Sequence, residues 1–89
     1  MTDNNAANRE FLNRFGRRLK VLRVERDLSQ EELGEAAGMH RTFIGRLERG
    51  EAGMNVDRLP DLARALAVEE HELIPRRPAP SPALDPPTR

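Results

Sequence analysis

With 89 residues, the chain has room for one small domain and a single modest core. It contains no cysteine, which excludes a disulfide framework, thiolate metal sites and a cysteine nucleophile. Its 15 basic side chains balance 15 acidic ones, a neutral total that argues mildly against a nucleic-acid partner.

Residues 1–8 are polar and read as a flexible arm. They hold no apolar run of the kind a signal peptide needs, and no later stretch approaches the roughly 20 apolar residues of a membrane span. The expected location is cytoplasmic. From Arg9 to about Asp27, Phe11, Phe15, Leu19 and Leu22 recur at helical spacing with basic residues between them, which predicts a first helix. With Phe11, Phe15 and Phe43 the only aromatics, the core falls mainly to Leu, Val, Ile, Ala and Met.

Ser29 opens a second helix. Ser29-Gln-Glu-Glu32 is a capping box, and Leu28 and Leu33 stand at the two positions of a hydrophobic staple. Gly38 ends this helix, because a left-handed residue is wanted there and glycine has no Cβ to oppose it. His40 begins a third helix that runs to about Arg49, with Gly50 as its stop. Asn55 is a candidate cap for a fourth helix, with Val56, Leu59, Leu62, Ala63 and Leu66 facing inward. Pro60 cannot donate the hydrogen bond required within an uninterrupted helix from Val56. The expectation is one turn over 56–59 and a regular helix from about Pro60. A short fifth helix spans about Glu69 to Leu73. From Pro75 onward six prolines crowd the chain, which predicts a disordered, solvated tail. The organisation is thus an arm over 1–8, one all-α domain over 9–74 and a Pro-rich tail over 75–89.

The third helix carries the chemistry. At 100° per residue, with Arg41 as zero, Gly45 falls at about 40°, Arg49 at about 80°, Thr42 at about 100° and Arg46 at about 140°. Phe43, Leu47 and Ile44 fall at about 200°, 240° and 300°. The apolar arc must face the domain, so the arginine-bearing arc faces out, as a helix entering a DNA major groove requires. Gly45 within the polar arc costs roughly 1 kcal/mol of helix propensity, which suggests that the helix backbone approaches a surface closely there.

Leu28-Ser-Gln-Glu-Glu-Leu33, Ala37-Gly-Met-His-Arg-Thr-Phe-Ile44 and Leu47-Glu-Arg-Gly50, in that order and spacing, resemble the XRE, or Cro/repressor-like, family of helix-turn-helix regulators. The resemblance covers residues 15–74. The His40-Arg-Thr variant also resembles controller proteins of restriction–modification systems. The resemblance implies a compact five-helix, lambda-repressor-like fold and sequence-specific binding of double-stranded DNA. It gives Gln30 the role of clamping a phosphate. His40, Arg41, Thr42 and Arg46 are to face base edges or neighbouring phosphates, Gly45 lies among them, and Arg49 is to meet phosphate. Phe43 stands where many relatives have tyrosine, so a hydroxyl contact to phosphate is missing. Arg23 and Glu48 match a structural ion pair between the first and third helices. The region after the fourth helix, with Leu73 and Ile74, is expected to form a homodimer contact on a palindromic operator.

Blander readings stand beside these. Arg14, Arg17 and Arg18 read as a solvated face, with a flank along the DNA backbone as the alternative for Arg14 and Arg17. His40 and His71 lie too far apart in sequence, without cysteine, to suggest a metal site. Leu73 and Ile74 could instead complete the core with Val68 and Met54. No nucleophile–base pair and no phosphate-cradling glycine loop is visible, so neither catalysis nor a cofactor is expected, and no small-molecule effector is evident. The rival function is a protein-interaction module, an antitoxin or adaptor, that uses DNA only secondarily.

Overall fold

The computed structural model describes residues 4–76, and within them the chain is all helix and turn. Helix α1 spans Asn4–Glu25, α2 Gln30–Ala37, α3 Arg41–Glu48, a single 3-10 turn Val56–Arg58, α4 Leu59–Leu66 and α5 Glu70–Leu73. Residues 1–3 of the expected arm lie outside the described residues, as does the Pro-rich segment beyond Arg76.

The boundary between arm and helix differs from expectation. Residues 4–8 continue α1. Ala6 and Ala7 favour helix strongly, and nothing in this stretch breaks one. Residues 5–8 are exposed, so the stretch carries no apolar period by which a helix could be read.

Four helix ends turn on a left-handed residue. After α1, Leu28 N–H donates to Arg23 C=O at 3.2 Å and Asp27 N–H to Val24 C=O at 2.9 Å, with Asp27 left-handed at φ 57°. This pair of bonds is a Schellman motif. The same pair of bonds closes α3 at Gly50 and α4 at Ala67. At α2 the left-handed Gly38 keeps the longer bond, Met39 N–H to Gly34 C=O at 2.8 Å, while its own N–H also turns to Gly34 C=O. Arg58 reinforces the α2 end, donating to Gly38 C=O at 3.1 Å and pairing with Asp61 at 3.1 Å.

Leu19, Leu33, Ile44, Leu47, Leu62, Leu66 and Leu73 are fully buried, one or more from each of the five helices. Pro60 falls in the first turn of α4, where its missing N–H leaves nothing unpaired. The turn before it matches the expected break. Two details do not: the Asn55 side chain makes no capping bond, and Val56 is 78% exposed. The 3-10 turn aims Val56 away from the core that α4 reaches through Leu59, Leu62, Ala63 and Leu66.

Gly16 and Gly34 set how closely the helices approach. A Cβ at Gly16 would lie 2.3 Å from Leu47 C=O, and one at Gly34 would lie 2.3 Å from Met39 C=O. Distances that short admit no side chain. Helix α1 therefore crosses α3 in direct backbone contact, and α2 folds tightly onto the turn that leads into α3.

Candidate nucleic-acid interface

The α2–turn–α3 unit is built from local bonds. Ser29 Oγ accepts from Glu32 N–H at 2.9 Å and Glu32 Oε1 accepts from Ser29 N–H at 2.8 Å, completing the capping box. His40 caps α3 with its own ring: Nδ1 accepts from Thr42 N–H at 3.0 Å. His40 is thus the residue before the helix and not its first member.

The inner arc of α3 is Phe43, Ile44, Leu47 and Glu48, half-buried or buried. Glu48 is the one charged residue in the core among the described residues. Arg23 meets it with both arms of its guanidinium, Nε to Oε2 at 2.6 Å and Nη2 to Oε1 at 3.0 Å, and donates a third bond to Leu28 C=O at 2.7 Å. The hydrogen bonds that Arg23 donates to Glu48 raise the Arg23 pKa above its ordinary value, against the opposing effect of burial. Gln30 Nε2 donates to Glu48 Oε1 at 3.1 Å, so α1, α2 and α3 meet at one carboxylate.

His40, Arg41, Thr42, Arg46 and Arg49 are exposed, and the last four fall within one arc of about 140° around α3. Arg41 lies 3.6 Å from Glu31. Arg49 grips Glu51 bidentately, Nε to Oε2 at 3.0 Å and Nη2 to Oε1 at 3.1 Å. This hydrogen-bonded pair raises the Arg49 pKa and lowers that of Glu51. Arg46 makes no ion pair among the described residues.

Gly45 departs from its expected role. It is buried, and a Cβ there would lie 3.1 Å from Arg49 Nη1 and 3.4 Å from Gln30 Oε1. The missing side chain makes room for these two side chains, which fold across the helix, and leaves no bare backbone for an outside surface. Leu73 departs likewise. It is fully buried at the centre of the fold, where it completes the core and has no surface left for a dimer contact. Ile74 stays 44% exposed.

Arg14 and Arg18 sit about 160° around α1 from Gly16, which faces α3. Arg18 Nε bonds Glu72 C=O at 2.8 Å on α5. Both line a groove with Arg17, His71 and Arg76, on the side of α1 turned from α3. Glu51, Gly16 and Gly34 escaped the sequence reading. A mid-helix glycine flags the last two, but an exposed acid beside a glycine turn gives no signal.

Two short helices joined at a left-handed glycine, the second offering an arginine-bearing edge to solvent, define a helix-turn-helix domain. The chain belongs to the helix-turn-helix domain family, which matches residues 14–74. Over 61 residues it is 31% identical to control protein C.BamHI of Bacillus amyloliquefaciens, spanning 67% of this chain and 75% of that protein. Over 51 residues it is 43% identical to control protein C.SmaI of Serratia marcescens, spanning 57% of this chain and 61% of that protein. The fold is similar to the crystal structure of the restriction–modification controller C.AhdI from Aeromonas hydrophila. That match has a TM-score of 0.69 at 40% identity and covers 71% of this chain and 96% of that one. These likenesses agree with the resemblance to XRE-type controllers. No helix among the described residues is long and apolar enough to cross a membrane.

Proposed function

We propose that this protein is a transcriptional regulator that binds double-stranded DNA sequence-specifically by inserting α3 into the major groove. The observation that carries this reading is the division of α3. Its inner arc is locked into the core at Glu48, while Arg41, Thr42 and Arg46 stand exposed on the opposite edge. Arg41 and Arg46 are the candidates for bidentate bonds to guanine O6 and N7, and Thr42 and His40 border them. Arg49 and Gln30 meet phosphate, which sets register without reading sequence. The named relatives C.BamHI and C.SmaI are control proteins, which supports regulation of a promoter as the outcome of occupancy.

The regulator acts as a homodimer. Phe11, Val56 and Ile74 are exposed apolar residues that surround a groove of about 240 Å³ with Phe15, Met54 and Leu59. A core this small gains from covering such a patch with a second copy. Two-fold pairing then sets the recognition helices about 34 Å apart, one DNA turn, and predicts a palindromic operator.

Selection of bound duplexes from a random pool tests the reading. The expected product is a palindrome whose complex weakens steeply with salt as phosphate contacts release counterions. Failure to enrich any sequence, or a complex insensitive to salt, would overturn it.

A further inference from the structure

The extension of α1 to Asn4 has a consequence at the far end of α3. Asn5, Asn8, Arg9, Leu12 and Asn13 fall at spacings of three and four, so they form one stripe along α1. That stripe runs beside the last turn of α3. With Arg49, Gly50 and Glu51 it lines an open groove of about 620 Å³. Three amides and two guanidiniums in it can donate hydrogen bonds, and Glu51 brings its one carboxylate. That carboxylate is seated in the fork of Arg49 by two nearly equal bonds of 3.0 and 3.1 Å. A phosphate takes the same two-pronged arrangement on arginine.

We propose that this groove is a phosphate-binding site flanking the recognition helix, made by Asn5, Asn8, Arg9, Asn13 and Arg49, and that Glu51 is an internal stand-in which a DNA phosphate displaces. The proposal rests on the DNA-binding reading above and names a part of the footprint that the helix-turn-helix unit alone lacks. Both members of the Arg49–Glu51 pair are more than half exposed, so exchanging one anion for another is cheap. The incoming phosphate gains what the carboxylate does not use, namely Arg9 and the amide stripe of α1. Glu51 thereby tempers affinity for all DNA.

The test uses the full chain on its selected operator and on a scrambled duplex, each across a salt series. Glu51→Gln is expected to tighten both complexes about two- to fivefold with little change in the slope of log K against log salt. Arg9→Ala is expected to weaken both complexes alike and to flatten that slope by about 0.9. In an Arg49→Ala background, Glu51→Gln should lose its effect, because there is no fork left to unblock. Both substituted side chains are exposed, so the thermal melts should match wild type. Wild-type binding with affinity and slope unchanged in both Glu51→Gln and Arg9→Ala overturns this inference and leaves the DNA-binding reading standing. A wild-type chain that forms no salt-sensitive complex overturns both.

Discussion

The inner and outer edges of α3 use the same chemistry to opposite ends. Each edge has an arginine gripping a glutamate with two bonds, Arg23 on Glu48 inside and Arg49 on Glu51 outside. Inside, the side chains are 12% and 3% exposed; outside, 57% and 54%. The buried carboxylate also takes a bond from Gln30, and its arginine also bonds the Leu28 carbonyl. Removing either partner there leaves an uncompensated charge in low dielectric, whereas water replaces a lost partner outside. An arginine–glutamate pair is therefore architecture or an exchangeable contact according to what surrounds it, and residue identity alone does not decide which.

Arg23→Ala makes the sharpest test of that contrast. It should destabilise the fold by about 3–5 kcal/mol, the usual cost of orphaning a buried charge. For a domain of this size each kcal/mol lowers the midpoint by roughly 4–8 °C, so a thermal melt should show a loss large enough to unfold much of the protein at ordinary temperature. An unchanged melt would erase the distinction between the edges. Restoring both positions as matched apolar residues should recover much of the loss, because burial of the pair is itself costly.

On the outer edge the effects should move from folding to recognition. Arg41→Ala is expected to leave the melt in place and to cost about 1–3 kcal/mol of discrimination at one base pair, seen as a relaxed preference in a selection experiment. Arg49→Ala should instead weaken every sequence alike and flatten the salt slope. A substitution at Arg41 that lowered stability as much as Arg23→Ala would mean that the outer edge is structural after all.

The same contrast explains which parts of the fold were legible in the sequence. The capping box at Ser29, the left-handed glycines at Gly38 and Gly50 and the delay of α4 by Pro60 all follow from backbone chemistry of single residues. They could be read because no distant contact was needed. Asp27 and Ala67 take the same left-handed corner without glycine, at φ 57° and 58°. Nothing local marks Ala67, and only aspartate's modest tolerance of this corner marks Asp27: the Schellman bonds and the packing of Leu28 and Val68 against the core impose it. The covering of Gly45 is hidden for a related reason. A helical wheel shows which arc a residue occupies, but not that Gln30 reaches over from α2 to cover it.

Ala67 turns that point into a measurement. A left-handed alanine costs roughly 1–2 kcal/mol that glycine does not incur, while glycine loses about 0.4–1 kcal/mol by loosening the unfolded chain. Ala67→Gly should therefore stabilise by up to about 1.5 kcal/mol, raising the midpoint of a thermal melt by a few degrees. A lower midpoint would mean that packing of the alanine methyl outweighs its backbone strain.

The smallest expected effect concerns acid. Asp61 lies between Arg64 at 2.7 Å and Arg58 at 3.1 Å, and the bonds from Arg64 and then Arg58 hold its carboxyl below the ordinary range. A carboxyl lowered in the folded state binds fewer protons there than in the unfolded chain, so its contribution is complete above the unfolded pKa. It fades as pH falls through the folded value. Stability should decline on acidification through and below the usual aspartate range, and Asp61→Asn should flatten part of that decline while leaving the neutral melt nearly unchanged. Glu51, lowered by its bond from Arg49, should act in the same direction and window, and Glu51→Gln should flatten a further part. Both carboxylates are surface groups screened by water, so their combined share must stay well below the loss produced by Arg23→Ala. If these two substitutions abolished the acid sensitivity entirely, the surface pairs would hold the fold more firmly than their exposure allows.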